Sequence, residues 1–247
     1  MSARVLVIDA HGPVERALCA SLADAGLRVV AHVVDEADEA DDGAADWPDA
    51  PGVQVVRAAD PAAALDDWND AYGPFDRIVF GQPRDARAGT GAPEADPFDA
   101  LADGVETRLD AFLATLQAAS AVALRRGDGA QIWALTQDDS VGYYLDTAPG
   151  ALPIDVRAWH AALKSLGKEM LRFGVRVNVA HLQPVAEAAA PAAWHAARDG
   201  LKAFALRFRP SPAASVAAAL TAWIARDDLP LAGMVVPIGI GFAENNV

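Results

Sequence analysis

Cysteine and lysine are nearly absent from this chain. Cys19 is the one cysteine in 247 residues, which excludes an intramolecular disulfide and fits a reducing cytoplasm. It lies in an apolar helical stretch, so it reads as a buried, inert thiol. The three lysines are Lys164, Lys168 and Lys202, and the formal net charge is −14. A field of that sign repels phosphate backbones and excludes nucleic acid as a partner. Although 53% of the residues are hydrophobic, no apolar run approaches the roughly 18 residues of a membrane span. The N-terminal MSARVLVIDA has one Arg before a short strand-like run and lacks the form of a signal peptide. There is no internal repeat, no Cys/His cluster with zinc spacing, and no Gly-x-Ser-x-Gly elbow for hydrolase chemistry.

What is present alternates between strand-like and helix-like stretches. Arg4 to Ile8 reads as a buried strand. Pro13 to Ala25 reads as a helix, with Pro13 at its first position and Gly26 after its end. Leu27 to Val34 is a second strand, Val53 to Arg57 a third, Pro61 to Tyr72 a helix and Phe75 to Phe80 a fourth strand. Pro97 to Arg126 carries Leu101, Val105, Leu109, Phe112, Leu113, Leu116 and Ala119 on one wide stripe. Gly129 to Leu135 is the fifth strand. The helix around Trp159 places Ala162, Leu163, Leu166, Met170 and Phe173 on one face and ends at Gly174. Val175, Val177 and Val179 then form a β-branched strand. Val185 to Leu206 reads as helical. Ser211-Pro212 reads as an N-cap and first position for a helix over Ala213 to Arg226. The last strand is Gly233 to Ile238. The length suits one α/β domain, 1–247, with a large core.

Gly174-Val175-Arg176-Val177-Asn178, after a helix carrying Lys168-Glu169, resembles the sixth strand of the short-chain dehydrogenases/reductases. The likeness extends to the element order of nearly the whole chain. It implies a single doubly wound Rossmann-type domain, with a mainly parallel seven-stranded sheet flanked by helices. It also implies that residues 185–210 form a substrate-side lid.

The family's functional residues can be sought position by position. Its Thr-Gly-x-x-x-Gly-x-Gly turn lets the backbone approach a pyrophosphate. The three glycine positions fall on Asp9, Pro13 and Glu15, and Gly12 alone remains. Glu15 reads either as an ordinary first-turn acid or as a carboxylate filling the anion slot itself. Asp35 to Asp49 holds eight acids and no base. It reads as a solvated acidic loop (35–50) where the family reads the adenosine ribose, and it disfavours NADP. Asp60 matches an acid that can touch adenine. The family's Asn-Asn-Ala-Gly is here Phe80-Gly81-Gln82-Pro83.

The family's chemistry rests on a Ser, a Tyr and a Lys four residues after the Tyr. The three tyrosines here are Tyr72, Tyr143 and Tyr144, followed four residues later by Asp76, Thr147 and Ala148. No Tyr-x-x-x-Lys therefore exists in the chain. The Ser, Tyr and Lys positions fall on Gln137, Leu152 and Val156. Thr136 beside Gln137 could hydrogen-bond. His160 and Lys164, one helical turn apart, read as a surface or interface pair, and His181 as a hydrogen-bonded structural histidine.

These readings give the expected function. The chain is similar to the inactive subunits of heteromeric short-chain dehydrogenases, of the 2-[hydroxy(phenyl)methyl]-succinyl-CoA dehydrogenase type. It is expected to hold no catalytic residue, metal or nicotinamide cofactor. An active family member would be its partner in a cytoplasmic hetero-oligomer, a tetramer, carrying NAD and oxidising an alcohol or hydroxyacyl-CoA. Members of the family pair through the helices corresponding to Pro97–Arg126 and Leu152–Phe173 and through the last helix and strand. Two alternatives stand beside this: a stand-alone oxidoreductase with atypical residues, and a small-molecule-binding homo-oligomer using a cleft lined by Tyr144, His181 and Trp194.

Overall fold

Strand β1 (Arg4–Ile8) is apolar on both sides. Val5 and Val7 face one way and Leu6 and Ile8 the other, all at most 1% exposed. A parallel sheet with helices on both faces requires such strands. The computed structural model describes residues 2–34, 51–82, 97–127, 129–137, 153–201 and 209–239, with the backbone alone at 97–101, 153 and 199–201. The further strands are β2 (Arg28–Val34), β3 (Val53–Ala58), β4 (Arg77–Phe80), β5 (Gln131–Gln137), β6 (Arg176–Leu182) and β7 (Val235–Ile238). All pair in parallel, in the order β3-β2-β1-β4-β5-β6-β7.

The described helices are α1 (Pro13–Asp24), α2 (Pro61–Tyr72), α3 (Pro97–Arg126), α4 (Pro153–Met170), α5 (Pro191–Leu201) and α6 (Ala213–Ile224). Five of the six begin with proline, whose fixed φ suits the first turn and whose missing N–H is not needed there. Helices α2, α3 and α4 cover the Leu6/Ile8 face, burying Leu65, Trp68, Phe112, Trp159 and Leu163 against Ile78 and Ile132. Helices α1 and α6 cover the Val5/Val7 face through Leu18, Leu22, Val216, Leu220 and Ile224. The chain runs outward from β1 through β2 to β3, then crosses back to β4 on the other side of β1. The strand order thus reverses between β1 and β4, and doubly wound sheets bind ligands above such a point.

Four local readings need correction. Phe173 is 54% exposed and not on the inward stripe, because the chain passes into a 3₁₀ turn (Leu171–Phe173) after α4. A 3₁₀ turn has about 3.0 residues per turn instead of 3.6, so the phase slips. Gly174 then takes the left-handed conformation (φ 76°) that ends the helix. Leu113 is 41% exposed, its inward place taken by Phe112 and Leu116. The helix expected over Val185 to Leu206 is a 3₁₀ turn (Ala186–Ala188) followed by α5, separated before Pro191. Helix α6 has Pro212, not Ser211, at its N-cap, and the Ala213 N–H donates to the Glu187 carboxylate at 2.9 Å. The acidic segment 35–50, Pro83, Tyr143, Tyr144, Leu152, residues 202–208 and the tail 240–247 lie outside the described residues.

Candidate functional site

The turn from β1 to α1 lies at the strand-order reversal. Asp9, at the first glycine position of the resembled turn, has φ 56°. The left-handed backbone is kept there although glycine is not, at a cost of about 1–2 kcal/mol. His32, fully buried in β2, holds it in place. The Asp9 N–H donates to His32 Nδ1 at 3.2 Å, and His32 Nε2 donates to the Ala58 carbonyl at 3.0 Å. An amide can only donate and a carbonyl only accept, so these partners fix a neutral ring protonated on Nε2. The Asp9 carboxylate, 3.5 Å from Nδ1, is therefore not in an ion pair with it. Trp68 packs on the His32 ring, centroid to centroid 5.1 Å.

Glu15 points inward from the first turn of α1 and is fully buried. Its Oε1 accepts the Gln82 N–H from the end of β4 at 2.9 Å. Its Oε2 has no hydrogen-bond partner among the described residues. A Cβ added at Gly12 would stand 2.2 Å from Oε2, so the carboxyl lies against the glycine backbone of the turn. Burial raises the Glu15 pKa above its ordinary value; the Gln82 N–H pulls the other way, and the Asp9 charge adds to the rise. Glu15 is thus not an ordinary solvated first-turn acid. Pro13, the first residue of α1, supplies no N–H. Gly81 closes the floor: its N–H donates to the Ile8 carbonyl at 2.7 Å, and a Cβ there would meet the Asp9 carbonyl oxygen at 2.4 Å. A dinucleotide diphosphate needs open glycine backbone and free N–H groups here. This turn presents a carboxyl, a proline ring and a second acid instead, and the group does not fit.

A second group of residues lies at the C-terminal ends of β5 and β6. Gln137 is the last residue of β5, and Val156 is 4% exposed in α4. The adjacent Asp155 is 1% exposed and bound by Arg108 Nε of α3 at 2.7 Å. One turn beyond Val156, His160 faces inward and is buried, which corrects the surface pairing with Lys164. Thr136 Oγ1 lies 2.9 Å from His160 Nε2 and 3.0 Å from His181 Nδ1. The rings meet edge to face with centroids 5.0 Å apart. A hydroxyl has one proton, so Thr136 donates to one ring and accepts from the other. Burial lowers the His160 pKa to about 4, helped by the positive charge that His181, Arg157 and Lys164 bring. The ring is neutral at pH 7, and its Nδ1 has no hydrogen-bond partner among the described residues. This chain of hydrogen-bonded side chains can pass or hold a proton.

The remaining sequence candidates are structural. Asp60 caps α2, accepting the Ala62 and Ala63 N–H groups at 2.9 and 3.3 Å. Trp194 donates its ring N–H to the Ala186 carbonyl at 3.0 Å. Cys19 is buried, and burial together with the Glu15 charge pushes its thiol well above the ordinary range. Among the described residues no cluster of three or more His, Cys, Asp or Glu could hold a metal, and no helix is long and apolar enough to cross a membrane. His32 and the Thr136–His160 contact escaped sequence reasoning. The available signal was a polar residue inside an apolar strand, at His32 within Val29-Val30-Ala31-His32-Val33-Val34 and at Thr136 within Ile132-Trp133-Ala134-Leu135-Thr136.

No protein-family model matches the chain, and no curated protein sequence does. Solved structures match it over almost its full length. Acetoin dehydrogenase from Enterobacter cloacae superposes with a TM-score of 0.70 at 18% identity, covering 98% of this chain and 96% of that one. Pseudomonas aeruginosa RhlG, in an active-site complex with NADP, gives 0.71 at 18% identity, over 98% and 97%. A short chain oxidoreductase of Pseudomonas aeruginosa PAO1 containing an atypical catalytic centre, in its apo form, gives 0.69 at 16% identity, over 98% and 97%. The chain therefore has the Rossmann-like α/β fold of the short-chain dehydrogenases/reductases. At these identities the likeness is one of fold.

Proposed function

We infer that this chain is a non-catalytic subunit with the short-chain dehydrogenase fold. It binds no nicotinamide cofactor itself and supports an active, NAD-carrying partner of that fold in a hetero-oligomeric alcohol or hydroxyacyl-CoA dehydrogenase. The complex is of the 2-[hydroxy(phenyl)methyl]-succinyl-CoA dehydrogenase kind. The observation that carries this reading is Glu15, whose carboxyl lies against Gly12 and takes the Gln82 N–H. A diphosphate charge about 5 Å from an ionised Glu15 would be opposed by roughly 3 kcal/mol at an effective dielectric near 20. Val156, buried at the Lys position, supplies no charge to hold a ribose. Exposed apolar side chains support a partner: Leu113 and Leu124 on α3, Ile154 on α4, and Leu171 and Phe173 in the 3₁₀ turn after α4 are between 41% and 55% exposed. Large apolar side chains left exposed on a surface favour an interface where they form a patch.

The test is titration of the purified chain with NAD(H), together with recovery of the tagged chain from its host. No binding of the dinucleotide and co-purification of a Tyr-x-x-x-Lys homologue are expected. Micromolar NAD(H) binding by the chain alone would overturn the reading. It would favour the second one, a stand-alone oxidoreductase, for which the buried Thr136–His160–His181 chain is the supporting feature.

A further inference from the structure

Two arginines stand side by side at the opposite, N-terminal edge of the sheet. Arg4 opens β1 and Arg28 opens β2, and the two are directly paired in the parallel register. Strand alternation puts both on the α2 face with Leu6, Ile8 and Val30. Neighbouring strands run about 4.8 Å apart, and like charges directly opposite each other are unfavourable. Neither guanidinium has a carboxylate partner among the described residues, and the buried Arg4 Nε makes no hydrogen bond. This occurs in a chain whose Asp and Glu outnumber Lys and Arg by 34 to 20.

The rest of that edge is satisfied. Arg77, on the other face, donates to the Ile224 carbonyl at 2.6 Å and pairs with Asp227. Arg176 donates to the Leu229 carbonyl at 2.9 Å. Asp76, beside Arg4, is already engaged: one oxygen takes Arg126 Nε at 2.8 Å and the other the Arg4 backbone N–H at 2.8 Å. The Arg4 guanidinium lies against Gly73 at the end of α2, where an added Cβ would stand 2.1 Å from Nη1. The helix end offers partial negative charge but makes no hydrogen bond to the guanidinium. Arg4 and Arg28 line a cavity of about 330 Å³ together with Gln54, Tyr72 and the apolar Val30 and Phe75.

We propose that this cavity, formed where Arg4 and Arg28 pair across β1 and β2, binds a small organic oxyanion. Its carboxylate or phosphate bridges the two guanidinium forks, and its apolar body lies on Val30 and Phe75. A guanidinium presents parallel N–H donors that match two oxygens of such a group. The anion cancels the repulsion that the register builds in. The site lies at the other end of the strands from the β1–α1 turn, so it is independent of the function proposed above.

The experiment is thermal melting and calorimetric titration of the full chain at low ionic strength, where the charges are least screened. The probes are inorganic phosphate, phenyl phosphate, benzoate and neutral benzamide. Phenyl phosphate or benzoate is expected to raise the melting temperature saturably, as a ligand of the native state does, while benzamide does not. The tighter of the two anions distinguishes a phosphate source from a carboxylate source. Arg28 is exposed, so its variants are expected to fold, and circular dichroism checks this. Arg28→Gln weakens anion binding at least about tenfold, the loss of one charged hydrogen-bonding partner. Arg28→Glu raises the melting temperature without ligand, because a carboxylate now faces Arg4, and abolishes the response to anions. Two results would overturn the proposal. One is a wild-type protein indifferent to every anion. The other is an Arg28→Glu variant that melts lower than wild type, which would mean that the chain's own acids already supply the counter-charge.

Discussion

Replacing Glu15 by Gln removes a charge while nearly keeping the shape, and it tests directly how the β1–α1 turn is built. In the wild type, Oε1 has one amide donor, Gln82 at 2.9 Å, and Oε2 has no partner among the described residues. An unsatisfied buried polar atom costs about 1–3 kcal/mol, and more when charged. Gln keeps the acceptor toward Gln82 and replaces the bare anionic oxygen with a neutral amide. Glu15→Gln is therefore expected to stabilise the protein by about 2 kcal/mol at a pH above the folded pKa of Glu15, roughly 4–8 °C in melting temperature for a chain of this length. The sign follows from linkage. Burial raises the Glu15 pKa above its reference of 4.5, so the folded protein holds that proton more tightly than the unfolded chain. The stabilisation is complete below pH 4.5 and is lost as pH rises through the folded pKa. The assay is scanning calorimetry of both proteins across the pH range. The difference in melting temperature should be near zero at the acid end and grow as pH rises through the folded pKa of Glu15. Parallel curves, or a variant less stable at the alkaline end, would refute the assignment of Glu15 as a buried, uncompensated acid.

Other substitutions test neighbouring parts of the structure. Gly81→Ala places a Cβ 2.4 Å from the Asp9 carbonyl oxygen, a backbone atom that cannot turn aside. It is expected to cost about 3 kcal/mol or more in denaturant unfolding. Asp155→Ala leaves Arg108 without its partner between α3 and α4 and should cost about 3 kcal/mol, while Arg108→Met with Asp155→Leu should recover most of that loss. His160, with its pKa lowered to about 4, stays neutral where a free imidazole of 6.5 is protonated. Its contribution to stability is present above pH 6.5 and is lost as pH falls toward 4. In NMR titration its ring resonances should not move between pH 7 and 5.5, and His160→Phe should flatten the melting temperature over that interval.

Much of the frame is legible from local pattern. The two-sided apolar run of β1 belongs in a parallel sheet, the prolines at 13, 61 and 97 mark helix starts, and Gly174 marks the end of the 3₁₀ turn that follows α4. Each of these depends on residues within a turn or two of one another. The same holds for the missing Tyr-x-x-x-Lys, which is a matter of spacing along one helix. What stands opposite a residue is set by strand register and helix packing, and no local period records it. Glu15 meets the Gln82 amide across 67 residues, and His160 meets Thr136 across 24. A helical count located His160 one turn from Lys164 but not the strand end it packs on, so it read as half of a surface or interface pair and is buried. The pairing of Arg4 with Arg28 arises because two parallel strands begin at the same level. Sequence could name each of these polar groups; the packing of the sheet chose their partners, and with them whether each is satisfied, neutral or still lacking an anion.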